Sequence, residues 1–234
     1  MKKLITVAVF AIFSASSALS LDITPSFGLS YNTAGFAGEG NERVGSDTGT
    51  VQSTTDEYGA FGADFASVFA EVQFGNIVAI GLDYVPGGIE SPINKSRESE
   101  DSAVGSNGSG NSQVSVDFEE LTTVYAKVNV PFLGGTYLKA GFSTVDVIVN
   151  ESMESGNTYA DVNTEGFMAG IGYNHEIANG FALRAEVSAS QFDDVKTDNG
   201  VAAGSESVAN GGRNVVQVES MWGAKGTVSL VKSF

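Results

Sequence analysis

The chain has no cysteine, one histidine, one tryptophan and only four prolines in 234 residues. The missing cysteine excludes disulfides, thiolate metal sites and cysteine nucleophiles. A lone histidine, His175, offers no imidazole cluster for a transition metal. Basic residues are scarce too: 12 stand against 28 acidic ones, a formal charge of -16. So acidic a chain repels phosphates, which removes nucleic acid from the expected partners. Beyond the first twenty residues, charge or glycine breaks every apolar run, so no stretch can cross a membrane as a helix. Only a closed sheet would then satisfy its backbone in lipid. What the chain does have is glycine, 29 residues, with β-branched and aromatic residues in short bursts. That is an all-β composition.

Residues 1–20, MKKLITVAVFAIFSASSALS, run from two lysines through an apolar stretch (Leu4 to Phe13) to small residues ending at Ser20. This is the anatomy of a signal peptide cleaved after Ser20, and a buried N-terminal helix is the competing reading. Cleavage would leave residues 21–234 and, with Lys2 and Lys3 gone, move the charge from -16 to -18. Export from a bacterial cytoplasm is the expectation.

Eight segments alternate apolar and polar residues with the period of a strand that has one greasy side. In the first, Phe27, Leu29 and Tyr31 oppose Ser26, Gly28 and Ser30; in the second, Ala66, Val68 and Ala70 oppose Ser67, Phe69 and Glu71. Val78, Ile80, Leu82 and Tyr84 mark the third, Val124, Ala126 and Val128 the fourth, Leu138, Ala140 and Phe142 the fifth. Phe167, Ala169, Ile171 and Tyr173 mark the sixth, Phe181, Leu183, Ala185 and Val187 the seventh. In the eighth, Trp222, Ala224, Val228, Leu230 and the final Phe234 face one way.

Short turns at Gly75-Asn76, PFLGG and EIANG alternate with long polar stretches at 37–57, 87–113, 150–164 and 192–214. Strands wound up and down in a membrane give this sorting, with short periplasmic turns and long surface loops. A soluble sandwich has no reason for it. The apolar faces stop at Asp64, Glu120 and Asp146 on the loop side, where lipid should give way to headgroup and water. Aromatics gather at both borders: Phe74, Tyr173, Phe181 and Phe234 by the short turns, Tyr31, Tyr84 and Phe142 by the loops. Two such girdles belong to the two membrane interfaces. The expected fold is an all-β, eight-stranded antiparallel up-and-down transmembrane β-barrel over residues 21–234, with four long surface loops.

The inward parity carries Glu71, Asp83, Lys127, Lys139, Arg184, Glu186, Glu219 and Lys225, with Phe65, Phe69, Tyr125 and Met221 as further filling. An eight-stranded barrel is barely wide enough for its own side chains, so these charges are expected to pair in a packed polar network. An ion or proton path is the alternative. Lys232 breaks the outward apolar pattern beside Phe234 and is expected to snorkel to headgroups.

The segment GFMAGIGYNHEIANGFALRAEVSASQFDDV, through Gly170, Gly172, Tyr173, Asn179, Gly180, Leu183, Arg184 and Glu186, resembles the penultimate hairpin of the small outer-membrane β-barrel family. That family comprises OmpA- and OmpX-like domains, Opa-like surface proteins and "porin family" barrels. The resemblance implies location in the bacterial outer membrane, contact with its lipids and lipopolysaccharide, and recognition by the barrel-assembly machinery through a C-terminal strand ending on an aromatic, here Phe234. Adhesion to a surface receptor through the loops is implied by the Opa-like members. Lipid A acylases and surface proteases of the same architecture rely on a histidine at the outer surface. His175 instead adjoins a short turn, so no catalytic residue, cofactor or metal ligand is expected. The loop acids Glu39, Glu42, Asp47, Asp56, Glu57, Glu151, Glu154, Asp161, Asp193, Asp194 and Asp198 form an acidic crown without a calcium-loop pattern. The functional expectation is a structural or surface-interaction protein; the alternative is a narrow, porin-like channel for small ions or solutes.

Overall fold

Where one face of a strand meets lipid and the other a lumen, a two-residue alternation propagates the ladder from strand to strand until it closes. In this computed structural model the described residues are 22–45, 51–97, 111–152, 158–200 and 214–234; the expected signal peptide lies outside them. They form eight wall strands: β1 (Ile23–Gly45), β2 (Val51–Phe74), β3 (Val78–Tyr84), β6 (Asn111–Asn129), β7 (Thr136–Ser152), β8 (Val162–Ala178), β9 (Phe181–Phe192) and β11 (Asn214–Ser233). Three short strands, β4 (Ile89–Glu90), β5 (Asn94–Arg97) and β10 (Val195–Asp198), lie at the loop end. All pairings are antiparallel, in the order β1-β2-β3-β6-β7-β8-β9-β11, and β11 returns to β1 to close the ring. The eight-stranded up-and-down barrel read from the sequence is the observed fold.

The surface is inverted relative to a water-soluble protein. Leu29, Phe167, Val187, Val228 and Leu230 stand exposed, while Ser26, Ser30, Asn32, Ser67 and Glu71 are buried. Each outward apolar residue named above for the eight segments faces away from the lumen, and its polar neighbours face in. At the short-turn end, Asn179 (φ 53°) and Gly180 (φ 75°) close the β8–β9 hairpin with the two left-handed residues that a tight hairpin demands. The β7 entry follows a 3-10 turn at Pro131–Leu133. Phe234 N donates to Pro25 O at 3.1 Å, which ties the end of β11 to the start of β1.

The long polar stretches differ from the expectation. The stretch 37–57 is mostly ladder: β1 pairs with β2 out to Gly45↔Val51, leaving only 46–50 between the strands. In 87–113, β4 and β5 pair with β6; in 192–214, β10 pairs with β11. Among the described residues, these three stretches thus carry β-ladder that stands above the apolar band. Sequence periodicity missed them because apolar-polar alternation is written only where the two faces meet different solvents. Above Tyr84 and Phe192 the continuous wall divides, because the β2–β3 ladder ends at Val68↔Tyr84 and the β8–β9 ladder at Gly166↔Phe192. Two ladder groups remain, β10-β11-β1-β2 on one side and β4/β5-β6-β7-β8 on the other, tied across the β8 side by Asp193 N to Glu165 O at 2.7 Å and Thr197 Oγ1 to Ala160 O at 2.8 Å.

Candidate functional site: a cross-tied lumen under an aromatic plug

Three layers fill the lumen. The lowest, nearest the short turns, is charged. Glu71 of β2 accepts four bonds: from Lys127 Nζ at 2.5 Å and Arg184 Nη2 at 2.8 Å on Oε1, and from Arg184 Nη1 at 3.0 Å and Tyr125 Oη at 3.0 Å on Oε2. Those donors use about all the acceptor capacity a carboxylate has, roughly four lone-pair sites. Glu186 of β9 repeats the motif on a smaller scale, accepting from Lys139 Nζ at 3.0 Å and Tyr137 Oη at 2.9 Å. The two halves interlock crosswise: Lys139 sits 4.1 Å over the Tyr125 ring and Lys127 5.2 Å over Tyr137, where ring faces favour a cation. Arg184 lies 5.0 Å from the Phe69 ring and makes a chord from β9 to β2 across the interior.

Glycine opposite aromatics makes this layer fit. A Cβ at Gly172 would lie 2.2 Å from the Tyr137 ring, and one at Gly81 2.4 Å from the Tyr125 ring. The rings occupy the volume that any other residue would take.

The middle layer is neutral apart from Asp83 and Lys225. Asn32, fully buried, donates from Nδ2 to Ser67 Oγ at 3.1 Å and accepts from Thr227 Oγ1 at 2.8 Å; Ser67 Oγ donates to Asp83 Oδ2 at 3.3 Å. At several heights of the wall, hydroxyl pairs Ser26–Ser233, Ser30–Ser229 and Thr123–Ser143 bridge neighbouring strands at 2.8 to 2.9 Å. Lys225 faces the same space within reach of the charges of Asp83, Lys139 and Glu186, without a direct ion pair among the described residues.

The top layer is apolar. Ala34, Phe65, Val85 and Ile89 are buried, and Phe36, Phe61, Ala63, Phe118 and Leu121 pack on them. Phe36, Phe61 and Phe118 stack in a triangle with centroids 5.3 to 5.8 Å apart and planes within 14 to 29°. Sequence reading named Phe65 as lumen filling and missed the rest of this plug. Phe36 and Phe61 continue the inward parity of their strands and were legible; Phe118 was not, since the β6–β7 register slips between Glu119 and Thr122, where Glu120 takes φ 53°.

Of the residues expected in the interior network, the structure brings Glu71, Lys127, Arg184, Lys139 and Glu186 together low in the lumen and sets Asp83 and Lys225 above them. Glu219 is a correction. It is exposed and accepts from Gln217 Nε2 at 2.7 Å. The β1–β11 register shifts between Ala37 and Glu39, opposite Glu219, and Ser220 has φ 52°; a bulge of this kind re-aims the side chains beyond it. Met221 is only half-buried, and His175 is exposed beside the short turn. Lys232 does not extend freely toward headgroups: its Nζ donates to Asn179 O at 2.6 Å and lies 4.8 Å from the Phe181 ring and 5.3 Å from Phe234. The loop acids Asp47 and Glu154 lie outside the described residues. Among the described residues, no three His, Asp or Glu side chains converge on one metal position.

No protein-family model matches the chain, and no curated protein matches it. Solved structures do. The outer membrane protein OprG from Pseudomonas aeruginosa aligns at TM-score 0.55 and 10% identity, over 89% of this chain and 95% of that one. The outer membrane protease OmpT from Escherichia coli aligns at TM-score 0.46 and 12% identity, over 94% of this chain and 100% of that one. Ail, the attachment invasion locus protein of Yersinia pestis, aligns at TM-score 0.40 and 10% identity, over 88% and 99%. At such identities a likeness shows fold alone, and it is the likeness to OprG that carries it: this chain has the fold of the small bacterial outer-membrane β-barrels.

Proposed function

We propose that this barrel resides in the outer membrane of a Gram-negative bacterium, exported by residues 1–20, and acts as a structural and surface-interaction protein without catalytic chemistry of its own. The observation that carries the reading is the chord between Arg184 and Glu71, 2.8 Å long, with Lys127 and Tyr125 on the same carboxylate. Side chains bonded across so narrow a ring favour a closed lumen, and the phenylalanine triangle over them supports the same reading. The ladder groups favour interaction. Below the loop end and above Val68, β2 has a ladder with β1 alone among the described residues, and Tyr58, 82% exposed, stands there directly after Asp56 and Glu57. An open strand edge is a template for an added strand, and its acids favour a cationic receptor. The remaining partners are membrane lipids and lipopolysaccharide around the wall, and the barrel-assembly machinery reading β11 and Phe234.

A narrow channel is the second reading, and one observation favours it. Arg184 Nε, Ser188 Oγ and Asn174 Oδ1 are buried without a partner among the described residues, and such groups call for water. Planar-bilayer recording with the refolded protein separates the two. A closed lumen gives no steps above the bare bilayer. Steady single-channel steps from the unaltered protein would overturn the proposal in favour of the channel.

A further inference from the structure

The lipid-facing wall is not uniform. Across β11, β1, β2 and β3 the register sets Lys232, Phe27, Ala70 and Leu82 in one row and Leu230, Leu29, Val68 and Tyr84 in the next. The small side chain of Ala70 leaves a dip between larger neighbours, and a groove of about 590 Å³ opens there. That volume falls within the ~300–1,000 Å³ of pockets that hold one small ligand. Its lining is apolar except at one end, where Lys232 stands at the short-turn border.

Lys232 is unusual for its charge. Among the described side chains, Lys127, Lys139, Arg184 and Lys225 point into the lumen and Lys196 stands at the loop end. Lys232 is the one cation on the lipid-facing side near the short turns. Its ammonium is held in place by Asn179 O at 2.6 Å and by the rings of Phe181 and Phe234. An ammonium has three donors, and Asn179 takes one of them. A fixed cation at the interface, continuous with an apolar groove running toward the bilayer centre, fits an anionic headgroup carrying an acyl chain, and the phosphate ester of a phospholipid is such a group.

We propose that this groove is a binding site for one anionic phospholipid of the leaflet on the short-turn side, its phosphate on Lys232 and one acyl chain along Phe27, Leu29, Val68, Ala70 and Leu230. The proposal rests on the membrane reading above, and the experiment separates the two. The protein is refolded into uncharged detergent micelles and its heat-modifiable gel band followed against temperature. Phosphatidylglycerol or phosphatidylethanolamine of matched chains, or inorganic phosphate alone, is then added. Phosphatidylglycerol at saturation should raise the midpoint by roughly 5 °C more than phosphatidylethanolamine does. Lys232→Gln should abolish that difference and Lys232→Arg keep it. Ala70→Phe, on a different strand, should abolish it by filling the dip with the cation intact. Equal shifts from the two lipids, a difference that survives Lys232→Gln or Ala70→Phe, or the same shift from inorganic phosphate would overturn the site. Absence of any heat-modifiable band would instead overturn the membrane barrel.

Discussion

Replacing Glu71 with glutamine keeps its shape and removes its charge, which makes it the sharpest test of the lumen. Glu71, Glu186 and Asp83 stand against Lys127, Lys139, Arg184 and Lys225, so cations already outnumber carboxylates before the change. In Glu71→Gln, Arg184 and Lys127 lose their shared counter-charge. The new amide NH2 also turns a donor toward Arg184 Nη1 in its better orientation, where Tyr125 Oη can turn to accept, so at least one of the four bonds to Glu71 cannot re-form. Breaking a buried pair by removing one partner costs about 3–5 kcal/mol. The ring cations-over-aromatics contacts of Lys127 and Lys139 survive, which places the expectation at the lower end, ~3 kcal/mol. Urea unfolding from lipid vesicles reads it directly, with Trp222, the single tryptophan and 55% exposed on the lipid face, as the fluorophore. Arg184→Met alone should cost a similar amount. Combined with Glu71→Gln it should cost less than the sum by at least ~1.5 kcal/mol, because each change strands the group that the other removes. Additive losses, or a Glu71→Gln protein within about 1 kcal/mol of the parent, would refute the idea that this carboxylate holds the lumen together.

Two further changes probe different layers of the same account. Gly172→Ala should cost about 1–3 kcal/mol in the same unfolding assay, since its Cβ would meet the Tyr137 ring at 2.2 Å and overpacking of this order is destabilising; a neutral result would show the ring free to move. Glu219→Ala should change stability by less than ~0.5 kcal/mol, as expected of an exposed site, whereas a loss comparable to Glu71→Gln would return it to the interior network.

Much of the barrel was legible because a membrane imposes a strict alphabet on a strand. Val124, Ala126 and Val128 must meet lipid and Thr123, Tyr125 and Lys127 must face the lumen, so the pattern and the strand count follow from period two, and the winding from the alternation of short turns with long stretches. The short turns were legible for a related reason: Asn179-Gly180 supplies the left-handed pair that a tight hairpin needs. Outside the apolar band that alphabet lapses. Gly40, Asn41 and Glu57 sit in ladder within a stretch that read as loop, since their polar and glycine residues write no apolar-polar contrast.

Which inward charges would face the lumen was thus set by sequence; which would meet was not. Parity placed Glu71, Arg184 and Lys127 inside, but partner choice depends on barrel stagger, which brings β9 against β2 and β6 at one height. Parity also fails past an inserted residue. Glu219 lies beyond a register shift that no local signal announces, and Phe118 joins Phe36 and Phe61 only because a second shift turns it inward. Lys232 read as a flaw in a lipid-facing row and became the fixed end of a groove once β1, β2 and β11 were aligned. Alternation along one strand is a local property and can be read from one dimension. Height, stagger and contact across a closed ring depend on all eight strands at once, and only the folded barrel decides them.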